Sequence, residues 1–317
     1  MEIQLIHINK KFQRGFAIRD LNMSIQSEKF TTFLGPSGCG KTTILRMIAG
    51  LETPDSGTIL LDGKKVFSSD DHIDIAPNER NLAFVFQDFA LWPHLTVYEN
   101  VAFPLRARKD TRDLDRRVRD ALATVRLSGM EQRYPGQLSG GQQQRVAFAR
   151  AIVGKPGCIL FDEPLSALDA ILREQMREEL RDLVARMKTT AVFVTHDQIE
   201  AMSMSDDIFV LSDGKIQQEG SPEEIYDHPA NSFAARFIGK SNWIGGDRMF
   251  RPEAMHLVRN AGDSAYEADI KNQQFVGDGY EVHLMMDGNE WLCRSDERLQ
   301  GAKVTVYVSP QRITSFA

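Results

Sequence analysis

The sequence predicts an α/β core followed by a small all-β domain, on three observations. A glycine-rich loop, Gly35-Pro36-Ser37-Gly38-Cys39-Gly40-Lys41-Thr42, lies between an apolar, β-prone run (Phe30–Leu34) and a helix-like run that starts at Thr43 and closes at Gly50. Two short apolar runs, Cys158–Phe161 and Thr190–Val194, flank a helix-like stretch from Leu168 to Lys188. That alternation buries a parallel sheet under helices. Beyond about residue 240 the texture changes to β-prone segments separated by turns.

Taken in order, residues 1 to about 60 read as β-rich around the glycine loop. Asp62-Gly63 between Thr58–Leu61 and Lys64–Phe67 is a two-residue hairpin signal. Leu82–Phe86 is a further apolar run, and the pattern from about 95 to 155 is helical. The mixed Asp and Arg residues between Arg106 and Arg119 read as a solvated helix face. Ser221-Pro222-Glu223-Glu224 is a helix start, with Ser as N-cap, Pro at the first position and Glu at the third. Tyr280–Met286, Asp287-Gly288 and Trp291–Cys293 suggest a second hairpin, and Val304–Val308 another strand.

Bulk properties narrow the classes. A chain of 317 residues suggests two domains or one large one, and 42% hydrophobic with 26% charged residues is an ordinary globular composition. A net charge of −6 argues against general nucleic-acid binding. No run reaches the roughly 18 consecutive apolar residues of a membrane span. Met1-Glu2-Ile3-Gln4 lacks a basic and an apolar region, so no secretory signal is expected. Three scattered cysteines are too few for a disulfide framework and fit a reducing cytoplasm.

The glycine loop carries the first chemistry. Two glycines five apart followed by Lys and Thr fit a phosphate-binding loop, in the strand–loop–helix order that motif requires. Backbone N–H groups of such a turn close around phosphate oxygens, and the helix behind it points its positive end at the same anion. Lys41 reaches the outer phosphates and the Thr42 hydroxyl is placed for Mg²⁺. Further on, Ile159-Leu160-Phe161-Asp162-Glu163-Pro164 puts two carboxylates at the end of a buried strand. Asp162 is suited to support Mg²⁺ and Glu163 to polarise an attacking water.

A second constellation narrows the family. Leu138-Ser139-Gly140-Gly141-Gln142-Gln143-Gln144-Arg145 resembles the signature motif of ATP-binding cassette transporter ATPases, just upstream of the Asp162-Glu163 strand as that family requires. Gln87 resembles its Q-loop glutamine, Ser166-Ala167-Leu168-Asp169 its D-loop, and His196 its switch histidine. Phe12 resembles the aromatic that stacks on adenine, with Phe16 as a rival. The resemblance covers residues 1 to about 237. It implies a P-loop NTPase core, with a RecA-like lobe and a helical lobe at about 88–155, and ATP and Mg²⁺ as cofactors. Glu163, His196 and Gln87 are the implied catalytic residues, and Thr42, Gln87 and Asp162 the implied metal set. ATP contacts are implied for Phe12, Gly35, Pro36, Ser37, Gly38, Cys39, Gly40, Lys41, Thr42 and Thr43. Ser139, Gly140, Gly141, Gln142 and Asp169 are implied to act on the nucleotide of a facing subunit, so the working unit is a homodimer. Because Cys39 lies in the loop, a bulky thiol reagent is expected to block ATP binding, with protection by ATP.

The stretch from Gln87 to Val101 looks like the importer version of the Q-loop region, where a groove receives a permease helix and Phe89, Leu91 and Trp92 are exposed. Arg251-Pro252-Glu253 resembles the start of the OB-like regulatory domain of importers of sugars, polyamines, ferric iron and sulfate, giving a C-terminal β domain at 238–317. Ser309-Pro310-Gln311-Arg312 departs from the usual second Arg-Pro-Glu. The resemblance thus implies the ATPase subunit of an importer, peripheral on the cytoplasmic membrane face. Its partners would be integral-membrane permease subunits and, indirectly, an external solute-binding protein, with no nucleic acid. It leaves the solute open among ferric iron, polyamine, sugar, phosphonate and others. A cassette ATPase acting on ribosomes or DNA is the rival reading, although such proteins usually carry paired cassettes or a coiled-coil insertion.

Overall fold

The apolar runs become two stacked sheets in the first of the two units into which the chain divides, Met1–Pro222. The structure is a computed structural model that describes all residues but 13, 14, 16 and 317. Phe16, the rival adenine contact, therefore lies outside the described residues. The strands are β1 (Ile3–Lys11), β2 (Ala17–Ile25), β3 (Phe30–Leu34), β4 (Ser56–Leu61), β5 (Lys64–Ser68), β6 (Ile73–Asp74) and β7 (Leu82–Val85). They continue as β8 (Cys158–Asp162), β9 (Thr190–Thr195), β10 (Asp207–Ser212) and β11 (Lys215–Gly220). One sheet is antiparallel in the order β2-β1-β4-β5-β6, and the other runs β11-β10-β3-β9-β8-β7. The second is parallel from β10 to β7, with polar β11 closing one edge antiparallel. Asp62 and Gly63 form the β4–β5 hairpin, both at positive φ (48° and 73°), as a two-residue turn of this hand requires.

The helices are α1 (Lys41–Ala49), α2 (Val97–Ala107), α3 (Leu114–Thr124), α4 (Gly140–Ile152), α5 (Ala170–Met187) and α6 (Gln198–Met204). Strands β3, β8 and β9 are buried along their whole length, so alternate side chains serve two cores. Phe33, Leu160 and Val192 join Ile3, Leu5 and Ile44 beneath the antiparallel sheet and α1. Phe30, Phe161 and Phe193 join Val146, Phe148 and Leu180 under the helices. The Asp/Arg stretch becomes the solvated face of α3, with exposed ion pairs Arg116–Asp113 and Arg119–Asp115.

Two buried polar residues tie loops to this frame. Asn100 of α2 donates from Nδ2 to the carbonyls of Trp92, Leu95 and Thr96 and accepts from the Trp92 N–H. Arg80 donates to the Met47 and Ile48 carbonyls at the end of α1 and to the Ile75 carbonyl. A cation there satisfies orphan carbonyls and complements the helix dipole. It also anchors the far end of the helix that starts at the phosphate loop.

The second unit, Glu223–Ala317, is described by itself. Its helices are α7 (Pro222–Asp227), which begins at the expected Pro, and α8 (Ser232–Phe237). Its strands are β12 (Asn242–Ile244), β13 (Arg248–Phe250), β14 (Met255–His256), β15 (Ser264–Phe275), β16 (Tyr280–Met286), β17 (Asn289–Ser295), β18 (Lys303–Val308) and β19 (Thr314–Ser315). They form a three-stranded sheet, β12-β13-β19, and a five-stranded antiparallel sheet, β14-β18-β15-β16-β17. The expected hairpin at Asp287-Gly288 joins β16 to β17. Trp291 centres the core, with Phe250 and Tyr266 edge-on at 5.0 and 5.3 Å, and its indole N–H donates to the Trp243 carbonyl at 2.8 Å. Arg251 is buried and donates to the carbonyls of Tyr226, Ala235, Ile238 and Lys240.

Candidate functional site

The parallel register fixes the site. Leu34 pairs with Thr195, Asp162 with Val194, and Val85 with Phe161. The carboxyl ends of β3, β9, β8 and β7 therefore share one edge, where ligands of α/β sheets bind. The residues that follow are Gly35, His196, Glu163 and, two positions beyond β7, Gln87.

The phosphate loop spans the gap from β3 to α1. Gly35 has no room for a side chain, since an added Cβ would lie 2.2 Å from the Leu211 carbonyl oxygen. Gly38 and Gly40 take φ of 82° and 110°, which favour glycine. Lys41 is only 4% exposed, and its ammonium donates to the Gly35 and Pro36 carbonyls at 2.8 and 3.0 Å. Thr42 donates from Oγ1 to Asp162 Oδ1 at 2.7 Å, bringing together the two side chains that would share a Mg²⁺. Burial raises the Asp162 pKa, opposed by the Thr42 hydrogen bond and by Arg46, whose Nη2 lies 3.7 Å from Oδ2. Arg46 carried no sequence signal beyond its place in the helix.

Glu163 lies 3.2 Å from His196, Oε2 to Nδ1, across neighbouring strand ends. Its backbone is left-handed (φ 45°), a conformation costing about 1–2 kcal/mol for a residue with a Cβ. The Glu163 N–H donates to the Val194 carbonyl, and its own carbonyl accepts from Ser166, so the strain is held from both sides. Phe12, Ser37, Gly38, Gly40, Lys41, Thr42, Thr43 and Glu163 line a cleft of about 320 Å³. Phe12 is half-buried at its rim with the Lys10 ammonium 5.5 Å from its ring centroid. Aromatic face, N–H loop, lysine and hydroxyl–carboxylate pair fit a nucleoside triphosphate with a divalent cation.

The remaining residues stand apart from that cleft. Ser139 caps α4 in a reciprocal pair with Gln142 and is exposed. Asp169 caps α5, accepting from the Leu172 N–H at 2.9 Å. A Cβ on Gly141 would meet Leu172 at 2.8 Å, so the starts of α4 and α5 pack closely. None of Ser139, Gly140, Gly141, Gln142 and Asp169 lines the cleft. Gln87 is exposed in the turn after β7.

Two expectations change. Phe89 is 8% exposed and packs in the helical-side core. Left-handed backbone at Phe89 and Ala90 (φ 62° and 45°) turns the chain there, a reversal that apolar patterning does not announce. Leu91 and Trp92 are half-buried. Cys39 is 4% exposed and burial pushes its thiol pKa up, so it is a poor nucleophile despite its place in the loop. A bulky thiol reagent should therefore label the native protein at least about tenfold more slowly than a free thiol. Rapid titration of one thiol per chain would contradict this.

Behind His196, Glu200 is buried and accepts from the Thr195 hydroxyl. Burial raises its pKa. The native state thus holds this proton more tightly than the unfolded chain, and above the raised pKa the ionised carboxylate destabilises the fold. Glu200→Gln should raise the thermal midpoint at pH 8, with the gain shrinking as pH falls through the raised pKa. A pH-independent difference in melting curves would count against it.

The chain matches the family model described as ABC transporter over residues 18–166. It is similar to the ATP-binding cassette MJ0796 in a dimeric post-hydrolysis state bound to ADP and Pi, at 34% identity, covering 69% of this chain and 98% of that one, with a TM-score of 0.59. A second dimeric structure of MJ0796, described as a bacterial ABC transporter cassette, matches at 33% identity with the same coverage and a TM-score of 0.60. The cbiO1 protein of Clostridium perfringens, part of the ABC transporter complex cbiONQ, matches at 26% identity over 74% of this chain and 91% of that one, with a TM-score of 0.63.

Proposed function

The chain belongs to the ATP-binding cassette transporter family, and on that footing we propose that it is the ATP-hydrolysing subunit of an importer. Residues 1–237 form the ATP-binding domain in this reading and 238–317 an OB-like regulatory domain. ATP lies in the cleft with its phosphates on the loop amides and Lys41, and adenine on Phe12. Thr42 and Asp162 would hold Mg²⁺, which when bound would neutralise charge developing on the phosphates, and Gln87 would sense the metal and the water. Glu163 accepts the proton of the attacking water, and His196, now bonded to Glu163, turns to the terminal phosphate. Ser139 and Gly141 complete the ATP site of a second copy, which accounts for their standing outside their own cleft. Asp169 couples the two sites. ATP binding closes the dimer and hydrolysis opens it, because ATP favours the closed state.

The observation that carries the importer branch is an apolar groove of about 420 Å³ beside the Gln87 turn, lined by Phe84, Phe86, Trp92, Phe103, Pro104 and Arg150 among others. The Trp92 and Phe103 rings meet tilted, with centroids 4.1 Å apart, and Phe103 is exposed. An apolar floor beside the metal-sensing turn suits a helix from a membrane subunit. None of the described helices is long and apolar enough to cross a membrane, so separate permease subunits would hold the protein at the cytoplasmic face. A tagged pull-down from native membranes in mild detergent, read by mass spectrometry, tests this. Recovery of a polytopic permease is expected. Recovery of ribosomes or DNA-repair factors in its place would overturn the importer role and leave the ATP chemistry standing.

A further inference from the structure

The geometry points to Arg150 as the positioning residue for Gln87: its guanidinium clamps the turn after β7 in the conformation that presents this glutamine at the strand-end edge. The inference rests on the reading of Gln87 as the sensor of metal and water.

Arg150 lies in the last turn of α4. Its Nη1 donates to the Ala90 carbonyl at 2.6 Å and its Nη2 to the Phe89 carbonyl at 2.7 Å. Those are the two successive residues with left-handed backbone, and neither is glycine. Such backbone persists where the surroundings over-determine it. A planar fork with two parallel donors suits two adjacent carbonyls, which a lysine point charge does not. The same guanidinium lies 5.2 Å from the Trp92 ring centroid. Trp92 is fixed in turn by Phe103 and by the two Asn100 hydrogen bonds of α2. The turn is thus pinned from α4 and α2 at once, beginning two residues after Gln87.

The connection has a direction. The helix that ends in this clamp is capped at its start by Ser139, the residue assigned to the facing subunit's nucleotide. A displacement of α4 at either end is therefore transmitted to the Gln87 turn. Burial lowers the Arg150 pKa to about 10, leaving the clamp cationic at neutral pH.

The test is steady-state ATPase kinetics of the full chain carrying Arg150→Ala, Gln87→Ala or both. Each single change is expected to lower kcat about tenfold or more with KM for ATP within about twofold, since a small misplacement near the chemistry is costly. The double variant is expected to be no slower than the slower single one, because Arg150 acts through Gln87. Wild-type kcat in Arg150→Ala beside a slow Gln87→Ala overturns the clamp alone, as does a double variant whose loss is the product of the two. A neutral Gln87→Ala overturns the reading of Gln87 and the clamp with it. Should Arg150→Ala fail to fold, Arg150→Lys decides: with unchanged circular dichroism an intermediate kcat supports the clamp and a wild-type kcat overturns it.

Discussion

Glu163→Gln should lower kcat for ATP hydrolysis by about 10³-fold while leaving ATP affinity nearly unchanged. The substitution keeps the size of the side chain and its reach toward His196, now 3.2 Å away. It removes the basic oxygen that would take the water's proton. Lys41, Thr42 and Asp162, which would hold the phosphates and the cation, are untouched. The residue also sits on strained, left-handed backbone pinned by Val194 and Ser166, so the carboxylate is held in place rather than searching for it. Single-turnover hydrolysis of radiolabelled ATP checks this. Activity within a few-fold of wild type would remove Glu163 from the role of base.

The second large effect concerns stability. Arg251→Ala should destabilise the second unit by about 3 kcal/mol or more, because it strips the donors from four backbone carbonyls, those of Ala235 and Ile238 buried. Burial lowers the Arg251 pKa, so the residue carries its own desolvation cost and is retained for the hydrogen bonds it makes. The bonds reach α7 at Tyr226 and the end of α8 at Ala235 and Ile238, and the guanidinium lies 4.3 Å from the Tyr226 ring centroid. Trp243 and Trp291 lie in this unit and Trp92 in the first, so tryptophan fluorescence in urea, measured in a Trp92→Phe background, reports the unfolding of the second unit directly. Arg251→Lys, which keeps the charge and loses the fork, should recover only part of the loss. An unchanged urea midpoint in Arg251→Ala would show that the clamp is dispensable.

Much of the first unit was legible because its signals are local. The phosphate loop needs glycines at fixed offsets, buried parallel strands need unbroken apolar runs, and the candidate site groups then follow strand ends. The parallel register brings Asp162, Glu163 and His196 beside the loop with no further information. What the sequence hid is of another kind. Arg80, Asn100, Arg150 and Arg251 are polar side chains whose partners are backbone carbonyls, several of them tens of residues away. Any residue carries a carbonyl, so such partners leave no mark in composition or spacing. The burial of Phe89 is hidden for a related reason: it follows from left-handed backbone that no glycine advertises. Strand β15 is hard to read for a different reason: Tyr266, Ala268 and Ile270 alternate with Glu267, Asp269 and Lys271, but the polar run Asn272-Gln273-Gln274 that follows breaks the pattern before the strand ends.

In the proposed mechanism two copies of the chain share ATP, since Ser139 and Gly141 stand outside the cleft formed by their own Lys41 and Glu163. The most direct measurement is the light-scattering mass of Glu163→Gln with and without ATP, where slowed hydrolysis preserves the bound state. A shift from 35.8 kDa to about twice that value on adding ATP is the expected result. A mass that stays at one chain while ATP is demonstrably bound would contradict the shared site.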